Sequence, residues 1–152
     1  QGQHSTLQPE SLEFLKNRLY LPRPRVKLGR GLHGLATAAI DVSDGLVADL
    51  GHICDQSGVG AEVSAARVPL SAAGGEALAL DPSIADRRLV WGEDYELIFC
   101  TDPSLGEEID WLTMRLGTGV AAIGRITPGP GVRFLDAKGE QIAFASTGYR
   151  HF

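Results

Sequence analysis

The sequence predicts a layered α/β or α+β domain in which helices pack on a largely buried β-sheet. Apolar runs of strand length alternate along the chain with longer stretches whose apolar residues recur at helical spacing. One of those runs, 95–101, is rich in strand formers on both faces, as in a strand covered by other elements. A chain of 152 residues with 43% hydrophobic content is also large enough to bury a core of this kind.

The first part of the chain is predicted to hold two helices joined by an extended linker. Residues 1–8 are polar, and we expect them to form a frayed start to a single domain that spans 9–152. Pro9 to Tyr20 is predicted to be a helix, because proline suits the first helical position and leucines follow at helical spacing. Prolines are expected to keep the linker 21–25 extended. A short helix is expected over 26–35, although its glycines lower the helix propensity of that stretch.

A strand, a helix and a second strand are predicted next. Residues 38–42 and 60–64 read as buried strands. Between them a helix is expected from about Gly45 to Gln56, and Ser57-Gly58 supplies its end. Its apolar side chains share one face, which is expected to pack on the sheet. The residues of that face are Leu46, Val47, Leu50, Ile53 and Cys54.

The rest of the chain continues the alternation. Asp81-Pro82 separates two short helices, and Ser104 to Glu107 has the pattern of a capping box ahead of a third. Gly139 marks the turn of a hairpin near the end. The predicted elements are helices over 70–80 and 83–90, a strand over 95–101, a helix that Gly117 ends, a strand over 120–126 and a hairpin of 132–135 with 141–144.

Residues Asp41 to Leu46 place two carboxylates and a hydroxyl where a predicted strand ends and a helix begins. Asp41 and Ser43 face the same way in an extended strand, and Asp44 follows at the helix entrance. A helix N-terminus offers free backbone N–H groups and the positive end of its dipole to phosphate, and carboxylates suit the accompanying Mg²⁺. A simpler interpretation also fits, in which Ser43 or Asp44 caps the helix and Asp41 is a solvated strand end.

A second acidic cluster, Glu93, Asp94 and Glu96, lies at the start of the run 95–101. Glu93 and Asp94 fit metal binding or a hydrogen bond to a substrate amine, whereas Glu96 alternates with buried neighbours and fits a paired structural carboxylate. An ordinary acidic turn ahead of a strand is the alternative. Trp91, just before the cluster, is expected to be a packing residue.

Other candidate side chains carry weaker signals. Arg23 and Arg25 fit either phosphate contacts or a solvated linker, Tyr149 fits stacking on a flat ring, and Phe152 is expected to fill the core. The 4 histidines lack the spacing of a metal cluster. Neither a P-loop nor a nucleophile elbow is present in the sequence.

The overall composition argues against several classes of partner. A net charge of -5 and a pI near 5.3 argue against nucleic acid, and no apolar stretch has the length of a membrane span. The start shows no signal-peptide pattern, and its first residue is not Met, as expected of a fragment. Cys54 and Cys100 lie in apolar runs and are expected to be buried free thiols, which favours a cytoplasmic protein.

These segments, taken in order along nearly the whole chain, resemble the C-terminal half of the thiamine-monophosphate kinase family, which belongs to the superfamily of aminoimidazole ribonucleotide synthetase. The combination of the two acidic motifs with the aromatic tail is what makes the resemblance specific. The segments that carry it are Pro22-Arg23-Pro24-Arg25 with Gly29, Ala39 to Leu46, Asp49-Leu50, Ser57 to Ala61, Val68-Pro69-Leu70, Gly92 to Leu97, Ile123 to Ile126 and Gly148 to Phe152.

The resemblance implies the fold of the superfamily's C-terminal domain, which is α+β, a layered α/β sandwich with a mixed sheet flanked by helices. It also implies a reaction and roles for particular residues. The reaction is transfer of a phosphoryl group from ATP directly to thiamine monophosphate, which gives thiamine diphosphate and needs no catalytic nucleophile from the protein. By position, Asp41 and Asp44 are implied as Mg²⁺ ligands and Ser43 as an ATP contact. Glu93 is implied to contact the thiamine moiety and Tyr149 to stack on it.

Two departures from the family pattern are visible. Trp91 stands where the family usually has a second glycine, which affects the placement of Glu93. The family's N-terminal domain, which brings further metal ligands, most nucleotide contacts and the main interface of a homodimer, is absent from this chain. We therefore expect the chain alone to be inactive. Alternatives are another ATP-using enzyme of the superfamily and a non-catalytic module that binds thiamine phosphates.

Overall fold

The computed structural model describes residues 6–92 and 94–144 as a set of helices and strands that alternate along the chain. The helices are α1 (Pro9–Tyr20), α2 (Val26–Gly31), α3 (Leu46–Ser57), α4 (Ala72–Leu80), α5 (Ile84–Val90) and α6 (Gly106–Leu116). The strands are β1 (Ala36–Asp41), β2 (Gly60–Ser64), β3 (Leu97–Thr101), β4 (Gly124–Thr127) and β5 (Gly131–Leu135). Short 3₁₀ turns cover 65–67 and 103–105.

The strands form two small sheets in the described part of the chain. β1 pairs antiparallel with β3, so that Asp41 lies opposite Leu97 at one end. β2 is the centre of a three-stranded sheet, antiparallel to β4 and parallel to β5. That sheet is therefore mixed, and the predicted α+β class with a mixed sheet is confirmed.

Helix α3 is the centre of the main core. Its predicted apolar face is confirmed, because Val47, Leu50, Ile53 and Cys54 are buried and Leu46 packs against the same cluster. They meet buried side chains from both sheets and from α5, namely Ala61, Val63, Leu89, Ile98 and Phe134. Burial of each large aliphatic side chain contributes about 1.5–3 kcal/mol. The start of α3 is thus fixed against the end of β1.

A second core cluster covers the other face of β3. Leu28 and Leu32, in and just after α2, are buried with Ile109 of α6, and Phe99 of β3 packs against them. Helix α1 contributes no buried residue, and Leu19 and Tyr20 at its end are largely exposed. No helix among the described residues is long and apolar enough to cross a bilayer.

Several predicted boundaries differ from the structure for local reasons. The Asp102 carboxylate, rather than Ser104, caps the turn before α6, and accepts hydrogen bonds from the Ser104 N–H at 2.8 Å and hydroxyl at 2.7 Å. β3 begins at Leu97 instead of 95, because Tyr95 has a φ of 54° that a strand does not accommodate. The predicted strand 141–144 is reduced to a single bridge between Gln141 and Leu135.

Candidate functional site

The two acidic segments, distant in sequence, meet where β1 and β3 end. The Val42 N–H donates to the Glu96 carbonyl at 2.8 Å, and the Tyr95 N–H donates to the Val42 carbonyl at 3.3 Å. These bonds extend the pairing of Asp41 with Leu97 beyond the strands. We call the residues Asp41, Ser43 and Asp44 the acidic corner, and the second acidic segment runs along its side.

Glycines allow the two segments to touch through their backbones. A Cβ on Gly92 would lie 1.8 Å from the Ser43 carbonyl oxygen, closer than any real contact. Gly45 has a φ of 111°, and a Cβ there would lie 2.6 Å from the Val90 carbonyl oxygen. The corner therefore depends on glycine at both positions, and both glycines belong to the motifs singled out in the sequence.

The corner presents its polar atoms outward. Asp41 and Ser43 are exposed while Val42 between them is 5% exposed, so the alternation predicted for an extended segment is confirmed. Asp44 is partly buried at the entrance to α3. Carboxylate and hydroxyl oxygens that reach solvent are available to a cation or a ligand from outside the described chain.

Asp49 is a site residue that sequence reasoning missed. Its side chain is 2% exposed, and its Oδ2 accepts hydrogen bonds from the N–H groups of Ser43 at 2.9 Å and Asp44 at 3.1 Å. Two backbone donors in the segment just ahead of the helix, whose N-cap is Gly45, are therefore bound to a carboxylate. The available signal was an acidic residue within the apolar face of a predicted helix.

Asp44, Asp49 and His52 bring their ligand atoms within 4.8 Å of one another. No pattern in the sequence predicted a histidine at this place, and Asp41 is not a member of this group in the described part of the chain. Carboxylate and hydroxyl oxygens of the acidic corner are the donors that Mg²⁺ takes, so these residues fit that ion. The His52 nitrogen is a donor more typical of transition metals.

Glu96 is a paired structural carboxylate as predicted, although Tyr95 before it is 42% exposed and does not form the buried half of the expected alternation. It accepts two hydrogen bonds from Arg25, at 2.6 and 2.7 Å, and one from Arg18 at 2.5 Å. Desolvation acts to raise the pKa of Glu96, but the hydrogen bonds and charges of Arg25 and Arg18 outweigh it and hold the pKa below its usual value. Arg25 thus has a carboxylate partner and is not simply solvated, so the prediction of a solvated linker is wrong for it.

Asp94 has the most perturbed carboxyl of the second segment. The residue retains exposed surface, but surrounding protein atoms desolvate its carboxyl and raise its pKa to about 6, helped by the charge of Glu96 and opposed by that of Arg18. Its neighbour Tyr95, with a φ of 54°, is in a left-handed conformation that costs a residue of this type energy. Strain of this kind, next to a titratable group, is typical of functional sites.

Of the remaining residues singled out in the sequence, some lie within the part of the chain that the structure describes and others do not. Glu93 and Tyr149, the predicted substrate contacts, and Phe152 lie outside the described residues. Trp91, expected to be a packing residue, has the Arg87 guanidinium 4.3 Å from its ring centroid and is 54% exposed, so its packing is at the surface rather than in the core. The structure therefore brings together Asp41, Ser43 and Asp44, and leaves the substrate residues as predictions.

Comparison with known proteins gives a consistent set of similarities. Residues 1–136 match the model for the AIR synthase related protein, C-terminal domain. The chain is 40% identical over 144 residues to thiamine-monophosphate kinase of Haemophilus influenzae. The matched region covers 91% of this chain but only 43% of that protein. The chain therefore spans less than half the length of the curated relatives it matches.

Two solved structures are similar to the fold as well as to the sequence. Thiamine-monophosphate kinase from Stenotrophomonas maltophilia superposes with a TM-score of 0.80 at 40% identity, covering 92% of this chain and 43% of that one. A structure described as AaThiL complexed with AMPPCP and TMP superposes with a TM-score of 0.71 at 27% identity, covering 97% of this chain and 44% of that one.

Proposed function

This chain is a member of the AIR synthase related protein, C-terminal domain family, and from that membership we propose that it is the C-terminal part of a thiamine-monophosphate kinase. The complete protein would transfer the terminal phosphoryl group of ATP directly to thiamine monophosphate. The single observation that carries the proposal is the meeting of the two acidic segments at one corner, in a chain 40% identical over 144 residues to a kinase of that name.

The acidic corner supports the nucleotide side of the proposal. Asp41 and Asp44 would hold Mg²⁺, and the Ser43 hydroxyl would contact ATP. When bound, magnesium neutralises charge on the phosphates and orients them. The chain's own contribution is to hold two carboxylates and a hydroxyl in place, since phosphoryl transfer depends chiefly on position and charge rather than on a protein nucleophile.

The acceptor side of the proposal rests on the second segment and on the tail. Glu93 would contact the thiamine moiety, and Tyr149 would stack on its ring through an aromatic face. A relative was solved with AMPPCP and TMP together, which supports a site that takes a nucleotide analogue and a second ligand. We propose further that a companion N-terminal region completes the site, that the intact protein is a homodimer, and that it acts in the cytoplasm.

The proposal is tested in the complete polypeptide by Asp41→Asn. Removing one carboxylate ligand while keeping the shape is expected to lower turnover by about 100-fold or more, because the charge on the metal-bound phosphates is no longer held in place. Asp55→Asn is the matched control: it removes an exposed acid from the same region, on α3 but away from its start.

Product formation by the two variants would be compared, with circular dichroism to establish that both are folded. Loss confined to Asp41→Asn supports the proposal. Near-normal turnover of Asp41→Asn would reject the role assigned to the acidic corner.

A further inference from the structure

Asp49 is a buried carboxylate to which the proposed function gives no part. It lies on the face of α3 that carries the core residues Leu50 and Ile53, and is 2% exposed. A charged group buried among apolar side chains is unfavourable unless hydrogen bonds compensate for lost water. Here the compensation comes from the backbone N–H groups of Ser43 and Asp44, at 2.9 and 3.1 Å.

The same stretch of backbone is held from its other side by the second acidic segment. The Gly92 Cα approaches the Ser43 carbonyl so closely that a Cβ would lie 1.8 Å from its oxygen. The N–H groups are thus fixed by Asp49 and the carbonyl by the packing of Gly92. The backbone that carries the Ser43 and Asp44 side chains has little room to move.

Asp49 also changes what the helix start attracts. It lies in the first turn of α3, where a negative charge offsets the positive end of the helix dipole. With Asp44 close by, the entrance to α3 carries the negative charge of two carboxylates, and the N–H groups of Ser43 and Asp44 just ahead of the helix are bound to Asp49. Such a helix start favours a cation over a bare phosphate.

We propose that Asp49 is a positioning residue, which holds the Ser43–Asp44 backbone so that the acidic corner faces a divalent cation, and does not bind the cation itself. The inference rests on the proposed function, since the cation gives the arrangement its purpose. It differs from a purely structural role, because the backbone it holds carries Asp44, a proposed Mg²⁺ ligand, and Ser43, the proposed ATP contact.

The test uses the present chain with Mn²⁺ as the probe and three variants. Asp49→Ala removes the acceptor, Asp49→Asn keeps an amide oxygen as acceptor without the charge, and Asp55→Asn is a control on the same helix. Mn²⁺ affinity would be measured by calorimetry. Hydrogen exchange of the Ser43 and Asp44 amides would be followed by NMR in the absence of metal, with circular dichroism as the check on folding.

For Asp49→Ala we expect exchange of the two amides to become about 10-fold faster or more, and Mn²⁺ affinity to fall about 10-fold or more, as for other groups that orient metal ligands. Asp49→Asn is expected to keep the amides protected and most of the affinity, and Asp55→Asn to change neither. If Asp49→Ala does not fold, the amide exchange rates and the Mn²⁺ affinity of Asp49→Asn decide whether Asp49 positions the backbone or binds the cation.

Two results would overturn the inference. One is unchanged exchange of both amides in Asp49→Ala. The other is a loss of Mn²⁺ affinity of about 10-fold or more in Asp49→Asn while the amides stay protected, which would make Asp49 a ligand. Failure of the parent chain to bind Mn²⁺ would count against the proposed function alone, because the exchange rates decide the role of Asp49 without metal.

Discussion

Glu96 joins three parts of the chain through one carboxylate. Arg18 near the end of α1 and Arg25 just before α2 both donate to it, and Glu96 itself precedes β3. The paired donors of Arg25 give this interaction a defined geometry as well as charge. The second acidic segment is therefore anchored to the first helices, and its neighbouring residues are held in place by this anchor.

Glu96→Gln is expected to lower the free energy of unfolding by about 1 kcal/mol near neutral pH, a modest value because the Glu96 side chain is 41% exposed and solvent screens the ion pairs. The pKa of Glu96 is lowered in the folded state, so its contribution is present above the unfolded-state pKa and is lost as pH falls through the folded value. Urea unfolding at neutral and acid pH would measure this. A difference in the free energy of unfolding between parent and variant that is as large at acid pH as at neutral pH would contradict this prediction.

Sequence reasoning at this scale succeeded where a pattern was local. The alternation of Asp41 and Ser43 with Val42 indicated which side chains face solvent. Glu96 is paired as predicted, but the expected alternation with a buried Tyr95 is absent. Sequence reasoning failed for Asp49, because the partners of that carboxylate are backbone groups in a loop whose path depends on tertiary packing. No spacing of side chains reveals that loop.

At the scale of elements, the site is built from ends: the end of β1, the start of α3, the end of α5 and the start of β3. Gly45 and Gly92 let these ends touch, and the close approach of Gly92 to Ser43 involves backbone that cannot move aside as a flexible side chain can. The geometry of the acidic corner is thus a property of how elements join rather than of any one element.

Gly92→Ala is therefore expected to destabilise the chain by roughly 2 kcal/mol or more, because its methyl group would meet the Ser43 carbonyl. Gly75→Ala is the matched control. Gly75 lies in α4 with open space around it, and alanine there should stabilise the chain by about 0.5–1 kcal/mol. Denaturant unfolding would compare both with the parent, and equal effects of the two substitutions would contradict the account.

The bounds of elements were predictable where periodicity and end signals agreed. α1 and β2 have the predicted bounds, and α3 differs by one residue at each end, since Pro9 and Gly58 mark clear limits. The start of β3 was not predictable, because Tyr95 is a strand former by type and takes a positive φ only in this packing. The prediction of the hairpin near the end of the described chain was wrong for its second strand, because a single bridge between Leu135 and Gln141 replaces the expected strand 141–144.

At the scale of the whole molecule, the acidic corner opens onto solvent with Asp41 and Ser43 exposed. The chain covers 43% of the length of a relative from Haemophilus influenzae. The proposed kinase site would need ligands around the transferred group, and the described residues would offer them from one side. The fold could be predicted from the sequence, whereas the proposed roles of Glu93 and Tyr149 concern residues outside those the structure describes.

We accordingly expect the chain by itself to show no measurable transfer of phosphate from ATP to thiamine monophosphate. Incubation of the chain with both ligands and Mg²⁺, followed by chromatographic detection of thiamine diphosphate, would measure this. Activity comparable to that of an intact relative would show that the chain holds a complete site, and would contradict the proposed need for a companion region.

The most direct measurement of the central claim is a crystal structure of the complete polypeptide with AMPPCP and Mn²⁺, in which anomalous scattering locates the ion. We predict a peak within coordination distance of a carboxylate oxygen of Asp41 or Asp44, with phosphate oxygens of the analogue on the same ion. A nucleotide bound with its metal elsewhere, and no peak at the acidic corner, would contradict the account.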